Sequence, residues 1–572
     1  MSRGAHRRSQ PSRLSPDALL LYIALGVAAG GCAAVYAATH LGAWLAGADA
    51  PPADPWTTLF GVLDGAVPWT SQASAVLAVL IAACLAAALA VHTAWRRSRH
   101  GRSRVDDTAR WLGRAHEIAP ISTRHATTTA TRLGVDTPGI RIGAAVATGQ
   151  PVWGTWEDMH IDVWGPRTGK TTSRAIPAIL DAPGAVLVTS NKRDVVDATR
   201  APRGGSGAVW VFDPQGLADE EPAWWWNPLS YVTDEVKAAR LAEHFASGSR
   251  PPGARTDAFF DPAGQDVLAA LLLAAAWDNR PITEVYRWLS RPTDDTAVDI
   301  LRDAGYPLTA EQLAGHIAAP DRQRGGVFGT AQQMATCLTN RQAAQWVTPA
   351  GGVDQRPQFD PHTFAAGDQT LYLLSKEGRG SAGPLTTALT VAVIEAAEDR
   401  ARISPGGRLP TPLLGVLDEA ANVCRWRDLP ELYSHFGSRG IVLMTILQSW
   451  SQGVDVWGES GMRKLWSAAN IAVYGGGVKD NEFLEMLSKL IGDYDKHTRS
   501  VSTGRGHRSV TEQLSRERIM DAADLAALPT GRAVVLASGA RPTLIQTEPW
   551  MTGSHATAVR QSLATHDPAA RR

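Results

Sequence analysis

The chain has 572 residues, of which 44% are apolar and 20% charged, a composition that excludes an intrinsically disordered protein and, at this length, predicts several domains. Lysine and arginine together number 56, as do aspartate and glutamate, so no overall basic excess indicates a nucleic-acid partner and any such surface has to be local. The four cysteines lie far apart without a CxxC pair, which indicates neither a zinc site nor a disulfide framework and favours a reduced, cytoplasmic main body.

Two uncharged, apolar segments near the N-terminus predict a membrane anchor. They cover residues 18–39 and 71–94, and each is long enough to cross a hydrocarbon core of about 30 Å as a helix. Four arginines precede the first segment and five follow the second, whereas the loop between them has three aspartates and no lysine or arginine. The positive-inside rule therefore predicts a multi-pass protein of the cytoplasmic (inner) membrane with both termini in the cytoplasm. A cleaved signal peptide is the alternative for the first segment.

A glycine-containing loop follows a short apolar run and precedes a helix-compatible stretch. Its sequence is Trp164-Gly165-Pro166-Arg167-Thr168-Gly169-Lys170-Thr171-Thr172. A strand, loop and helix in this order direct backbone N–H groups and the positive end of the helix dipole at a phosphate chain. We expect residues 165–172 to bind ATP, with Lys170 reaching the β- and γ-phosphates and the Thr171 hydroxyl binding Mg²⁺. An ordinary surface turn is the competing interpretation, because Trp164 stands where the full motif has a glycine.

Apolar, β-branched runs recur downstream of this loop. Their hydrophobicity is continuous rather than alternating, which is typical of parallel strands buried on both faces. Helical patterns separate most of the runs, so we predict a doubly wound α/β sheet. The runs cover residues 184–189, 209–213, 369–375, 413–417, 441–447, 471–474 and 533–537.

The strand pattern gives way to helical periodicity over residues 224–348, which predicts an all-helical insertion into the sheet domain. The tryptophans Trp224, Trp225 and Trp226 at its start are expected to be core residues rather than a stacking platform for bases. The full domain prediction is an anchor over residues 1–97, a juxtamembrane linker over 98–138, a nucleotide-binding domain over 139–223 and 349–552 around the insertion, and a flexible tail over 553–572.

Asp418 and Glu419 follow the apolar run 413–417, where a carboxylate pair at the end of a parallel strand can divide two tasks. We expect Asp418 to contribute to the Mg²⁺ shell and Glu419 to orient or deprotonate the attacking water, because phosphoryl transfer depends on positioned charge. Gln448 ends the run 441–447 and is expected to sense the γ-phosphate or hold the water; a simple strand-end hydrogen bond is the alternative.

Arg439 lies in a Ser-Arg-Gly turn before the run that ends in Gln448. It is a candidate arginine finger for a neighbouring subunit, since a mobile guanidinium neutralises transition-state charge in trans. An ordinary surface arginine is an equal alternative. Between Lys496 and Arg518 a basic segment rich in Gly, Ser and Thr is either a solvated flexible loop or a surface that follows DNA phosphates without reading sequence.

The order and spacing of these motifs resemble those of the TraG-type coupling proteins of type IV secretion and conjugation, which are relatives of the FtsK/HerA motor ATPases. The resemblance covers nearly the whole chain. Besides the two N-terminal segments, it rests on residues 165–171, 226–229, 417–422, 429–432, 438–441, 447–449 and 525–541.

The resemblance implies a RecA-like P-loop NTPase domain with an all-helical insertion and a two-helix transmembrane anchor. It also implies a homohexamer around a central channel, with ATP and Mg²⁺ as cofactors. The implied partners are DNA bound without sequence specificity, a relaxase or other cargo protein, and subunits of the secretion channel.

Two other functions compete with a motor ATPase for conjugation. A chromosome-segregation translocase of the FtsK kind usually has more membrane spans and a separate DNA-reading domain, neither of which the sequence shows. A non-hydrolysing cargo receptor would fit the altered front of the loop at Trp164. The five residues Lys170, Thr171, Asp418, Glu419 and Gln448 oppose that interpretation, and no Ser/His/Asp or metal-ligand constellation offers another chemistry.

Overall fold

The structure is a computed structural model that describes residues 16–99, 103–249, 257–351, 353–378, 381–504 and 507–569. The chain forms two compact units, one from residues 1–107 and 493–517 and the other from residues 108–492 and 518–572. We call them the anchor unit and the main unit.

The strands of the described residues are numbered β1 to β13 in chain order: Ile140–Ala145, Pro151–Gly154, His160–Val163, Val186–Ser190, Val209–Phe212, Thr370–Leu374, Leu413–Leu417, Ile441–Leu447, Ile471–Tyr474, Asp493–Gly504, His507–Arg518, Arg532–Ala537 and Thr543–Gln546. The α-helices α1 to α21 are Pro16–Ala46, Pro55–Leu63, Ser71–Arg99, Thr123–Leu133, Ile176–Asp181, Asp194–Gly204, Glu235–Ser249, Phe260–Trp277, Thr283–Leu289, Thr296–Asp303, Pro307–Ala318, Asp321–Met334, Arg341–Val347, Pro361–Ala365, Gly383–Ile403, Ala420–Val423, Leu429–Phe436, Trp450–Ala468, Asn481–Ile491, Ala522–Ala526 and Ala556–His566.

An eleven-stranded sheet organises the main unit, in the order β2-β1-β13-β12-β9-β3-β8-β7-β4-β6-β5. The strands from β9 to β5 in this order are parallel, and the others pair antiparallel. Every residue of β3, β4, β6, β7, β8 and β9 is buried, as expected for strands covered by helices on both faces. The predicted α/β fold class is confirmed, with β3 inside the sheet between β8 and β9.

Helices α7 to α13 lie between β5 and β6, in the region predicted as an all-helical insertion. Helix α8 is its most buried helix, since ten of its residues are buried. Trp224 and Trp226 are also buried, and the Trp224 ring meets that of Trp346 edge-on with centroids 5.5 Å apart. These tryptophans therefore pack as core residues.

The segment predicted as a juxtamembrane helix and linker contains ordered elements that pack within the main unit. Residues 115–121 form a 3₁₀ turn and α4 follows it, with Ile118, Ile121, Ala126 and Ala130 buried. These four apolar side chains are removed from water, and their burial stabilises the segment.

The predicted flexible tail is also wrong, because residues 556–566 form helix α21. Val559 is fully buried in the core that covers α6, and the Ser562 hydroxyl donates to the Asp197 carbonyl oxygen over 2.6 Å. His555 lies 2.7 Å from Asp181 at the end of α5, and this hydrogen bond raises the His555 pKa. The tail is held at both ends, since Arg193 donates to the His566 carbonyl oxygen over 3.2 Å.

The anchor unit contains α1 to α3 and a β-hairpin. Two helical segments, Ala24–Ala46 and Ser71–Ala90, are long and apolar enough to cross a membrane. The basic segment near Lys496 is not a loop, since β10 and β11 pair as a two-stranded sheet. Lys496 lies 2.9 Å from Glu517, and Arg516 lies 2.6 Å from Asp493, so opposite charges face each other across the strands.

The docking of α21 predicts a stability effect. We expect Val559→Asp to destabilise the main unit by at least about 3 kcal/mol, because it buries an unpaired carboxylate. Gln561→Asp places the same charge on the exposed side of α21 and is the matched control. Thermal unfolding of the full chain in detergent measures both variants. Equal melting temperatures for the two would contradict the docked helix.

Candidate nucleotide site

Three adjacent parallel strands bring the predicted site residues to one edge of the sheet. The glycine loop follows β3, the Asp418–Glu419 pair follows β7, and Gln448 follows β8. Strand β8 lies between the other two, with Val163 opposite Leu447 and Leu417 opposite Thr445. Because parallel strands end at the same edge, residues far apart in sequence converge at their carboxyl ends.

The glycine loop packs against a second glycine turn that follows β9. The Gly165 N–H donates to the Gly476 carbonyl oxygen over 2.8 Å. A Cβ on Gly165 would lie 2.2 Å from the Gly477 carbonyl oxygen, so only glycine fits there. Gly169 has φ +93°, in the left-handed region that glycine tolerates. Sequence reasoning missed the role of residues 475–477, although three consecutive glycines after an apolar run are a usable signal.

The loop passes into a π-helical turn, Thr171–Ala175, before α5 begins. The Ile176 N–H donates to the Thr171 carbonyl oxygen, five residues back. Pro177 lies in the first turn of α5, directly after the π-helical turn. The Thr172 hydroxyl donates to the Gly169 carbonyl oxygen over 3.1 Å and closes the end of the loop.

Lys170 extends from the loop to the carboxylates after β7. Its Nζ donates to Glu419 Oε1 and lies 3.2 Å from Asp418 Oδ1. The Gln448 amide donates to both carboxylate oxygens of Glu419 at 2.7 Å, and the Asn422 amide donates to Oε2 at 3.3 Å. The structure therefore brings together the predicted Lys170, Asp418, Glu419 and Gln448, and adds Asn422, which sequence reasoning missed.

Burial and the neighbouring charges together set the pKa values of this cluster. Burial raises the pKa of Asp418 to about 6, against the opposing effect of Lys170, so Asp418 is ionised at neutral pH. Burial alone would lower the pKa of Lys170, but the charges of Asp418 and Glu419 outweigh it and the pKa is raised. Lys170 is therefore a cation and Asp418 an anion at neutral pH.

The residues present fit a magnesium–nucleotide complex. Asp418 is buried, and its Oδ1 accepts no hydrogen bond of ordinary geometry among the described residues despite the 3.2 Å approach of Lys170. A buried carboxylate oxygen with unused acceptor capacity is a suitable ligand for a hard cation such as Mg²⁺. Thr171 directly follows Lys170 and supplies a hydroxyl at the same sheet edge.

Trp164 is part of the core and does not line the phosphate loop. Its side chain is fully buried together with Ile471, Val473 and Val535. The space that a Cβ on Gly475 would need is taken by the Trp164 ring, 2.0 Å away. The Trp164 N–H donates to the Leu447 carbonyl oxygen over 2.9 Å, so its backbone continues the β3 ladder.

A buried ion pair ties β3 to the helix that follows the loop. Arg174 Nε donates to Asp162 Oδ2 over 2.7 Å, and Arg174 Nη2 lies 3.2 Å from His160 Nδ1. Burial raises the pKa of Asp162 and lowers that of His160 well below its usual range. Sequence reasoning missed this group, because a polar residue inside an apolar run carries no sign of its partner.

Arg439 is not brought to this cluster within one subunit. It lies in the turn Gly437–Arg439 before β8, at the opposite edge of the sheet, and seven strand residues of about 3.3 Å each separate that edge from Gln448. Its guanidinium pairs with Glu398, and 44% of its side chain is exposed.

The fold and this cluster define the class of protein as an α/β P-loop nucleotide-binding protein of the RecA-like type. Residues 412–530 match the family model described as the TraM recognition site of TraD and TraG, and this match confirms the resemblance to TraG-type coupling proteins. The matched segment contains Asp418, Glu419, Arg439 and Gln448. No curated protein sequence matches the chain.

Two solved structures of a bacterial conjugative coupling protein, TrwBdeltaN70, share this fold. The unbound monoclinic form has a TM-score of 0.53 and 16% identity, over 74% of this chain and 91% of that chain. The trigonal form, in complex with sulphate, has a TM-score of 0.50 and 15% identity, over 69% of this chain and 86% of that chain.

The core position of Trp164 leads to a testable prediction about the loop in which this residue replaces the motif glycine. Trp164→Gly restores the usual motif, yet we expect it to destabilise the main unit by about 3–5 kcal/mol and to leave the affinity for an ATP analogue no higher, because the ring fills the core. Trp277→Gly, at a half-exposed tryptophan, is the control. Thermal unfolding and fluorescence titration measure the two effects, and tighter nucleotide binding would contradict this assignment.

Proposed function

We propose that the chain is a membrane-anchored ATPase that couples a relaxase–DNA cargo to a type IV secretion or conjugation channel and drives DNA transfer by ATP hydrolysis. The convergence of Lys170, Asp418, Glu419 and Gln448 at one sheet edge carries this proposal. The shared fold and the matched TraD/TraG segment supply the biological context.

Each side chain has a task in hydrolysis. Bound Mg²⁺–ATP supplies the phosphoryl group and a cation that offsets its negative charge. Lys170 would turn from the carboxylates to the β- and γ-phosphates, and Asp418 and Thr171 would hold Mg²⁺. Glu419, released from Lys170, orients the attacking water and accepts its proton. Gln448 remains beside Glu419 and fixes the direction of that carboxylate.

The core position of Trp164 weakens the case for a non-hydrolysing receptor, because that case rested on an altered phosphate loop. The tryptophan packs in the core with Ile471, Val473 and Val535, while Gly165 lies against Gly477 and Gly169 has a positive φ. The lysine that would reach the phosphates follows Gly169 directly.

We assign Arg439 to a neighbouring subunit's site in a homohexamer. Its place at the far edge of the sheet excludes a role at its own Lys170, and its exposure leaves it accessible to another copy. The ion pair with Glu398 has to open when the arginine engages in trans. A ring of this kind also creates a channel in which DNA is held without sequence reading.

The apolar helices α1 and α3 are assigned to the inner membrane, with both termini in the cytoplasm. The arginines on either side of the helix pair and the lysine-free loop between them support this orientation. The main unit then lies on the cytoplasmic side, where relaxase and channel subunits are its proposed partners.

Steady-state ATP hydrolysis by the full chain in nanodiscs tests the motor function. We expect Lys170→Ala and Glu419→Gln each to lower turnover by about a hundredfold or more, because each removes a group aimed at the reacting phosphate. Lys464→Ala and Glu431→Gln alter an exposed lysine–glutamate pair and are matched controls. Stimulation by single- or double-stranded DNA identifies the cargo. Wild-type turnover equal to that of the site variants under every condition would refute the motor.

Mixing variants tests the trans role of Arg439. We expect Arg439→Ala to lower turnover by about a thousandfold in a uniform ring. A mixture with Lys170→Ala should recover activity, since some interfaces combine an intact Lys170 with an intact Arg439. If the turnover of the mixture is only the sum of the residual turnovers of the two variants, Arg439 does not act in the site of a neighbouring subunit.

A further inference from the structure

Helix α2, between the two apolar helices, folds back along α1. The Tyr36 hydroxyl donates to the Ala53 carbonyl oxygen over 3.0 Å, and His40 Nε2 lies 3.2 Å from the Pro52 carbonyl oxygen. Tyr36 and His40 precede the end of α1 by ten and six residues, which is about 15 Å and 9 Å along the helix axis. Helix α2 therefore begins beside the last turns of α1 and not beyond the C-terminal end of that helix.

One face of α2 is apolar and exposed. Trp56, Phe60 and Leu63 are separated by four and three residues, which places them on the same side of the helix. Their exposed fractions are 63%, 58% and 75%. Thr58, on the other side, is fully buried and donates to the Pro52 carbonyl oxygen. Three large apolar side chains in one row are costly to leave in water.

An apolar groove of about 490 Å³ lies between α1 and α2. Its lining includes Leu25, Ala29 and Cys32 from α1 and Trp56 and Leu59 from α2. The groove has the volume and the apolar lining to take a hydrocarbon chain. The side chains of the two apolar helices are themselves almost entirely unburied.

The connections of α2 determine what covers these surfaces. Only residues 47–54 join it to α1, and only residues 64–70 join it to α3. Those tethers contain no lysine or arginine. A helix that is tied at both ends to membrane-crossing helices and lies alongside one of them sits at the depth of the membrane interface, about 5–10 Å below its surface.

We propose that α2 is embedded in the non-cytoplasmic leaflet of the bilayer, with Trp56, Phe60 and Leu63 in the acyl region and a lipid chain in the groove beside α1. This inference rests on the proposed membrane anchoring of α1 and α3. In this proposal the segment between the two helices contacts lipid and not water.

Site-directed fluorescence in proteoliposomes of the purified full chain tests the assignment. The native cysteines Cys32, Cys84, Cys337 and Cys424 are replaced, and an environment-sensitive dye is attached at Phe60→Cys or Leu63→Cys. Val79→Cys, exposed within α3, reports on the anchor itself, and Asp49→Cys, in the exposed tether, reports on water. Quenchers attached to lipid chains and quenchers dissolved in water are compared at each position.

We expect blue-shifted emission at positions 60 and 63, with several-fold stronger quenching from lipid than from water, as at position 79. Behaviour like that of position 49 would overturn the inference while leaving the anchor intact. Protection from both quenchers would overturn it as well, because a second copy would then cover the face. If the lipid-attached quencher does not quench a dye at position 79, the membrane anchoring on which the inference rests is refuted. None of these readouts depends on ATP hydrolysis.

Discussion

The charge cluster of Lys170 with Asp418 and Glu419 is the interaction on which the site depends. A buried cation next to two buried carboxylates is stable only while all three groups are present. Removing the cation or the carboxylates leaves an unpaired charge away from water. Lys170 donates to Glu419, the residue that we propose as the base. In this proposal a phosphate chain attracts Lys170 and frees Glu419, which keeps its hydrogen bonds from Gln448 and Asn422.

This arrangement follows from sheet topology. The residues that form the cluster are separated by about 250 positions, and a helical insertion lies between them. They meet because β3, β8 and β7 are parallel neighbours whose carboxyl ends share one edge. The insertion leaves the sheet after β5 and returns at β6, at the far side of the parallel strands, so it adds a surface without disturbing the edge that carries the Lys170 cluster.

The parts of the site that sequence reasoning found are those with a local signature. Lys170 follows a glycine loop, and Asp418, Glu419 and Gln448 each follow an uninterrupted apolar strand, so their place at a strand end can be deduced without knowing the fold. The contacts of Gly165 with Gly477 and of Asn422 with Glu419 have no such signature, because they depend on which strands become neighbours. Strands β10 and β11 show only weak alternation of apolar and polar residues, and helix α21 has only weak capping signals. Tertiary packing therefore determines the structure of these segments.

The close contact between the two glycine turns has a mechanical consequence. Gly165 and Gly477 meet through backbone atoms alone, with no side chain between them to deform. Any movement of the phosphate loop is therefore transmitted to the end of β9, which pairs with β3 on one side and with antiparallel β12 on the other. This contact therefore links the loop that we propose to bind phosphates, through β9, to the antiparallel half of the sheet.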